Sequence, residues 1–144
     1  MAPKVIAGGC HCGNISYRLG WPADEDSVGA RACGCTFCQK HGGRWTSHTD
    51  ASLSVAFSDP GAIQRYRFGT KTADFLICAR CGVPPLVVSN IDGVDYAVVN
   101  VNTFEQGHGL DIVDSSTDFD GEDNDARLAR RARNWMAVVF DLAD

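Results

Sequence analysis

No stretch of this chain is apolar for long enough to cross a bilayer, and the opening Met1-Ala2-Pro3-Lys4-Val5 lacks the hydrophobic run of a secretory signal. Membrane insertion and export are therefore not expected, and the expected compartment is the cytoplasm. Positive charge is not in surplus either. Lys and Arg number 13 against 18 Asp and Glu, a net charge of -5, which gives no reason to expect a nucleic-acid or acidic-membrane partner. Strands and helices do not alternate as βα units would, and no internal repeat is present. A chain of 144 residues fits one domain, 1–144, and can bury a core without staples. Disulfides are not expected in a reducing compartment, and the cysteine count is odd, at seven. A pair separated by one residue is also too close to bridge without strain.

Those seven cysteines fall into three tight clusters: Cys10-His11-Cys12-Gly13, Cys33-Gly34-Cys35-Thr36-Phe37-Cys38 and Cys78-Ala79-Arg80-Cys81-Gly82. Short spacers put thiolates on neighbouring turns of a loop, where they can converge on one soft tetrahedral cation. Zinc takes four such ligands in a structural site, and three plus an open position in a catalytic one. Glycine after Cys12 and after Cys81 lets a loop curl so that backbone amides face the sulfurs. Grouping Cys10, Cys12, Cys78 and Cys81 would tie the N-terminal strand to the middle of the sheet, although spacing alone permits other groupings. Cys33, Cys35 and Cys38 would then form a second site. Three readings of that trio stay open: an open metal site that receives a thiol, a closed site completed by His41 or His11, and a Cys35–Cys38 redox pair.

Hydrophobic alternation at Ile15, Tyr17 and Leu19 predicts a half-buried strand. Further strands are predicted at Trp45-Thr46-Ser47, Leu53 to Phe57, Ile63 to Phe68, Asp74 to Cys78, Leu86-Val87-Val88 and Tyr96 to Val99, with a turn at Asn90 to Gly93. Strands spaced by roughly 8–12 residues point to antiparallel sheets. From Glu105 to Asp125 the chain carries acids and glycines but no Lys or Arg, so 105–125 is expected as a solvated acidic loop. Asp123-Asn124-Asp125 can cap a helix over 123–136, with acids at its positive end and arginines further along.

With its clusters placed, the chain resembles the family of glutathione-dependent formaldehyde-activating enzymes and centromere protein V. The likeness runs from Gly8-Gly9-Cys10-His11-Cys12-Gly13 through Cys33-x-Cys35-x-x-Cys38 and Phe75-Leu76-Ile77-Cys78-x-x-Cys81-Gly82 to Val101. The resemblance implies a mainly β fold, a β-tent of antiparallel sheets around zinc knuckles, to which the residue pattern adds a short C-terminal helix. It also implies a structural zinc on Cys10, Cys12, Cys78 and Cys81, and a second, catalytic and more labile zinc on Cys33, Cys35 and Cys38. In the name-giving enzymes the glutathione thiolate adds to formaldehyde and gives S-(hydroxymethyl)glutathione, a carbon–sulfur lyase reaction read in reverse. Val83-Pro84-Pro85 and Asn102-Thr103-Phe104 depart from the formaldehyde enzymes. Asp118-Phe119-Asp120-Gly121 looks more like a branch of the family whose substrates are mostly unassigned.

Glutathione has two carboxylates, so its site wants fixed cations. Lys40, His41 and Arg44 directly follow the trio and are the nearest substrate-binding candidates, with Gly42-Gly43 letting a substrate backbone approach. Arg65 and Arg67 could face a pocket or solvent. Trp45 could wall the pocket. Arg127, Arg130, Arg131 and Arg133 invite a nucleic-acid reading, which the preceding acids offset. The rival to an enzyme is a non-enzymatic zinc module that binds a protein partner.

Overall fold

Period-two burial writes the strands of the first half. In the computed structural model, which describes residues 3–69, 71–117 and 122–142, Ile15, Tyr17, Leu19 and Trp21 are buried while Ser16 and Arg18 are exposed. Asp118-Phe119-Asp120-Gly121 lies outside the described residues. The elements are β1 (Lys4–Gly9), β2 (Ile15–Trp21), β3 (Ser27–Cys33), α1 (Thr36–His41), β4 (Arg44–Thr46), β5 (Ser52–Phe57), β6 (Ile63–Tyr66), β7 (Asp74–Cys78), β8 (Leu86–Ile91), β9 (Val94–Asn100), β10 (Asp111–Thr117), α2 (Asn124–Asn134) and β11 (Met136–Leu142).

The fold is mainly β and dominated by antiparallel pairs. One wing runs β1-β2-β5-β11, and β11 crosses onto β9 through Met136↔Ala97. From β9 the second wing continues on one edge to β4, β3 and β10, and on the other to β8, β7 and β6. Among the described residues two pairs are parallel, β5 with β11 and β3 with β10, an arrangement not expected from the sequence. The β8–β9 hairpin turns on Asp92 and Gly93, both at positive φ (52° and 85°), the two-residue geometry whose twist matches paired strands.

Strands β7, β8 and β9 are buried on both faces. Leu76, Leu86, Val88, Ala97 and Val99 join the main core with Ile6, Ile15, Leu19 and Val55. Phe75, Val87 and Val98 point the other way and pack with Cys38, Trp45, Phe37 and Trp135. This second cluster is why Leu86-Val87-Val88 and Ala97-Val98-Val99 read as unbroken apolar runs.

Two expectations need correction. The span 105–125 is not wholly a loop: Asp111–Thr117 is strand β10, paired with β3 from Asp111↔Ser27 to Thr117↔Cys33. Its two acids are tolerated because Asp111 and Asp114 are both exposed. The helix expected over 123–136 spans Asn124–Asn134, with the Asp123 carboxylate accepting from Ala126 N–H at 2.8 Å. It ends because Met136 begins β11. No helix among the described residues is long and apolar enough to cross a membrane.

Candidate functional site

Two cysteine groups come together. Cys10 and Cys12 lie in the β1–β2 turn, where Gly13 N–H donates to the Cys10 carbonyl at 3.3 Å and Ile15 N–H to the Cys10 sulfur at 3.2 Å. Cys78 ends β7, and Gly82 N–H donates back to its carbonyl at 2.8 Å. The four sulfurs lie within 4.8 Å of one another, with Cys10–Cys12 at 3.8 Å and Cys12–Cys78 at 3.5 Å. Buried Asn14 braces the pair of turns: its Oδ1 accepts from Asp59 N–H at 2.7 Å, and the Asp59 carboxylate accepts from Arg80 at 2.7 Å.

The thiols of this group hold different protons. Burial pushes Cys10 up to about 11. Burial acts the same way on Cys81, but the Val83 and Cys12 amides and the Cys78 and Cys10 thiols outweigh it and bring Cys81 down to about 6. Cys78 is also lowered, its burial outweighed by the Cys81 and Arg80 amides. Crowded sulfurs that partition protons this way are a donor set that could hold a cation in place of those protons.

Cys33 ends β3, while Cys35 caps α1 by accepting from Cys38 N–H at 3.3 Å. Cys38 sits one turn into that helix, so a strand end and a helix start bring three sulfurs within 4.8 Å. The Cys38 thiol, with smaller help from the Cys35 amide and thiol, draws Cys33 down to about 5, and Cys38 itself is pushed far up. No fourth Cys, His, Asp or Glu joins this group among the described residues. His11 is exposed and belongs to neither group. The His41 ring packs against Phe37 (4.6 Å between centroids) and edge-on to Trp45 and Phe75; neither of its nitrogens has a hydrogen-bond partner among the described residues, and burial lowers its pKa.

Cys33, Cys35 and Cys38 line a cavity of about 310 Å³. Trp45, Phe75, Val87, Val98 and Trp135 supply apolar wall, and Arg31, Arg127, Arg130 and Arg131 also line it. Glu122 accepts from Arg130 Nε at 3.1 Å and Nη2 at 3.1 Å, and lies 3.9 Å from Arg127. Arg131, only 7% exposed, sends Nη1 to Thr72 Oγ1 (2.8 Å), the Thr72 carbonyl (3.3 Å) and Ser89 Oγ (3.2 Å), and its guanidinium lies 4.9 Å from the Trp135 ring centroid. Burial, then the charges of Arg130 and Arg127, lower Arg131 to about 10. Arg31 donates to Ser47 Oγ at 3.0 Å and is lowered by burial and by Arg130.

The three substrate-binding candidates lie elsewhere. Lys40 is exposed on α1. Arg44 is committed to Asp114 (2.5 Å) and Asn102 (2.9 Å), which ties β4 to β10. Neither these two nor His41 lines the cavity. Arg65 and Arg67 reach Asp74 on the neighbouring strand, at 3.6 Å and 2.6 Å. Trp45 does wall the cavity. The cavity's own arginines had one sequence signal, the 127, 130, 131 spacing that lines one side of a helix; Arg31 had none.

The family described as "Glutathione-dependent formaldehyde-activating enzyme" matches residues 5–116. A crystal structure of a Rhodobacter sphaeroides protein is similar in fold, with a TM-score of 0.51 and 24% identity over 77% of this chain and 99% of that one.

Proposed function

Because this chain belongs to the glutathione-dependent formaldehyde-activating enzyme family, we propose that it joins a thiol, glutathione, to formaldehyde or a related small electrophile, and cleaves the same adduct in reverse. The observation that carries this reading is the trio Cys33, Cys35 and Cys38, gathered within 4.8 Å and lining a cavity with no fourth protein ligand among the described residues. Zinc fits both donor sets. Metal–sulfur bonds of about 2.3 Å set a tetrahedral edge of about 3.8 Å, which the Cys10–Cys12 and Cys12–Cys78 separations of 3.8 Å and 3.5 Å approach. Cys10, Cys12, Cys78 and Cys81 would hold a structural zinc; Cys33, Cys35 and Cys38 would hold a more labile one.

A zinc on the trio would supply Lewis-acid character that lets an incoming thiol lose its proton at neutral pH. The chain's own residues do the rest. Trp45, Phe75 and Trp135 present an apolar wall that strips water from a small electrophile next to the sulfurs. In the addition a sulfur lone pair forms the carbon–sulfur bond, the carbonyl π pair moves to oxygen, and that oxygen takes up the proton released by the thiol. Nothing is oxidised or reduced, so no redox role for Cys35 and Cys38 is required.

The test combines metal content with adduct exchange. Wild-type protein is expected to carry two zinc ions per chain and to speed exchange of labelled formaldehyde with its glutathione adduct, followed by NMR. Cys33→Ser is expected to lose one zinc and that acceleration while its circular dichroism stays unchanged. Unaltered metal content and exchange in Cys33→Ser would overturn the reading.

A further inference from the structure

The apolar side of the cavity continues beyond its wall. Phe68 and Phe75 line the cavity together with the trio and stack with ring centroids 5.5 Å apart and 24° between their planes. Tyr66 stacks on Phe68 in the same way, at 5.5 Å and 29°. Phe37, which stands between Cys35 and Cys38 in the sequence, lies 4.7 Å from Phe75, 4.9 Å from Tyr66 and 5.4 Å from Phe68, centroid to centroid. Rings from α1, β6, β7 and the segment after β6 thus form one continuous surface that begins in the cavity and reaches solvent. Of the four, Phe75 alone is buried, at 8% exposure; Phe37 and Phe68 are half-buried, and Tyr66 is 45% exposed. The Tyr66 hydroxyl is the one polar group on these rings, and the flanking Arg65 and Arg67 are drawn to Asp74.

Formaldehyde has no use for such a surface, because its carbon carries only hydrogen. Aromatic area left open to water beside a cavity marks a binding surface, and covering it with an apolar group is favourable in proportion to the area buried. Rings in particular receive another ring, offset or edge-on, with centroids about 4.5–7 Å apart. We infer that the site takes an aldehyde bearing an aryl group: the carbonyl carbon meets the thiol at the cysteine trio, and the aryl ring packs against Phe68 and Phe75. This rests on the proposed function and deepens it by naming the class of the electrophile. The thiol sulfur's lone pair bonds to the carbonyl carbon, the π pair moves to oxygen, and that oxygen takes the thiol's proton. The product is a hemithioacetal, and nothing is oxidised or reduced. The aryl group takes no part in the bond changes; it decides which aldehyde is held, so Phe68 and Phe75 determine specificity.

Calorimetric titration of the full chain with unreactive adduct mimics tests this. S-methylglutathione stands for the formaldehyde adduct, S-benzylglutathione for the aryl one, and S-(cyclohexylmethyl)glutathione for an apolar group of the same carbon count that is not flat. The benzyl ligand is expected to bind wild-type protein about ten-fold or more tighter than the methyl ligand, with the cyclohexylmethyl ligand between them. Phe68→Ala is expected to bring benzyl within about three-fold of methyl while methyl itself moves less than about two-fold. Phe68→Leu, which keeps apolar bulk but loses the ring, is expected to fall between wild type and Phe68→Ala. Equal affinity for benzyl and methyl, a cyclohexylmethyl ligand as tight as benzyl, or binding of none would each overturn the inference. So would a benzyl preference that survives Phe68→Ala, which would assign the rings to another occupant. The wild-type comparison needs no variant to fold. The mimics cannot react, so binding is separable from turnover. Formaldehyde exchange without a benzyl preference would sink the inference alone; a benzyl preference without exchange of any aldehyde adduct would sink the proposed reaction and leave the ring recognition standing.

Discussion

Gly82 holds φ at +81° directly after Cys81, with open space where a Cβ would sit. Its role is therefore conformational, not steric: only there does Gly82 N–H reach the Cys78 carbonyl and close the turn around the sulfurs. Gly82→Ala should cost about 1–2 kcal/mol, the penalty of a left-handed L-residue, visible as a lower denaturation midpoint at unchanged metal content. Equal midpoints would mean that the turn relaxes freely. Local grammar of this kind is why the cysteine groups that could hold a metal are legible in the sequence. Cys-x-Cys-Gly and Cys-x-x-Cys-Gly each specify their own turn, so the sulfurs are positioned by neighbours in the chain. Arg31 and Arg131 are positioned by tertiary structure instead, one at a strand and one on a helix one hundred positions later. Nothing near Arg31 in the chain marks it as lining the cavity and not the outer surface. Lys40, His41 and Arg44 adjoin the trio in sequence, yet α1 turns Lys40 outward, and Asp114 and Asn102 claim Arg44.

Strands that bury one face announced themselves, whereas those made of small or charged residues did not. In β3, Gly29, Ala30 and Ala32 carry little strand preference, and β10 mixes acids with serines. Their parallel pairing is a fact of tertiary structure, since the partners lie more than eighty positions apart. The β6–β7 pair shows how charge holds a weaker edge. Asp74 on β7 accepts from Arg67 Nε at 2.6 Å and lies 3.6 Å from Arg65. The Arg67 hydrogen bond, against the opposing effect of burial and with help from both arginine charges, holds the carboxyl below its ordinary value. A depressed folded pKa contributes stability that is complete above the unfolded pKa of about 3.9 and is lost as pH falls through the lower folded value. Asp74→Asn should therefore lower stability by about 1 kcal/mol or less at pH 7, because both arginines are half exposed. The gap between variant and wild type should narrow as pH falls below the unfolded carboxylate value and close once Asp74 is protonated in both states, as urea titrations at several pH values would reveal. A gap that persists in acid would assign the effect to packing.

Met136 stands where the two wings meet, on the strand that pairs with both β5 and β9, and is 1% exposed. Met136→Ala should cost about 2–5 kcal/mol in thermal or urea unfolding, and a smaller loss would mean that the seam can collapse around the cavity. The four-sulfur group joins the wings at a second place, holding the β1–β2 turn against the end of β7 across 66 residues of chain. Any ion there contributes folding energy directly, since the unfolded chain cannot gather those ligands. The trio differs, because its three sulfurs come from a strand end and the adjoining helix within six residues of chain and line a cavity. Losing an ion from it frees no long loop. A chelator added at neutral pH is therefore expected to act in two stages. The first zinc should leave with loss of adduct exchange while circular dichroism and Tm stay constant; the second should leave only together with unfolding. Acid should empty both sites, since protons compete for every thiolate. Release of both ions in one step, with folding lost from the start, would mean that the two cysteine groups are energetically one and that the trio also carries the architecture.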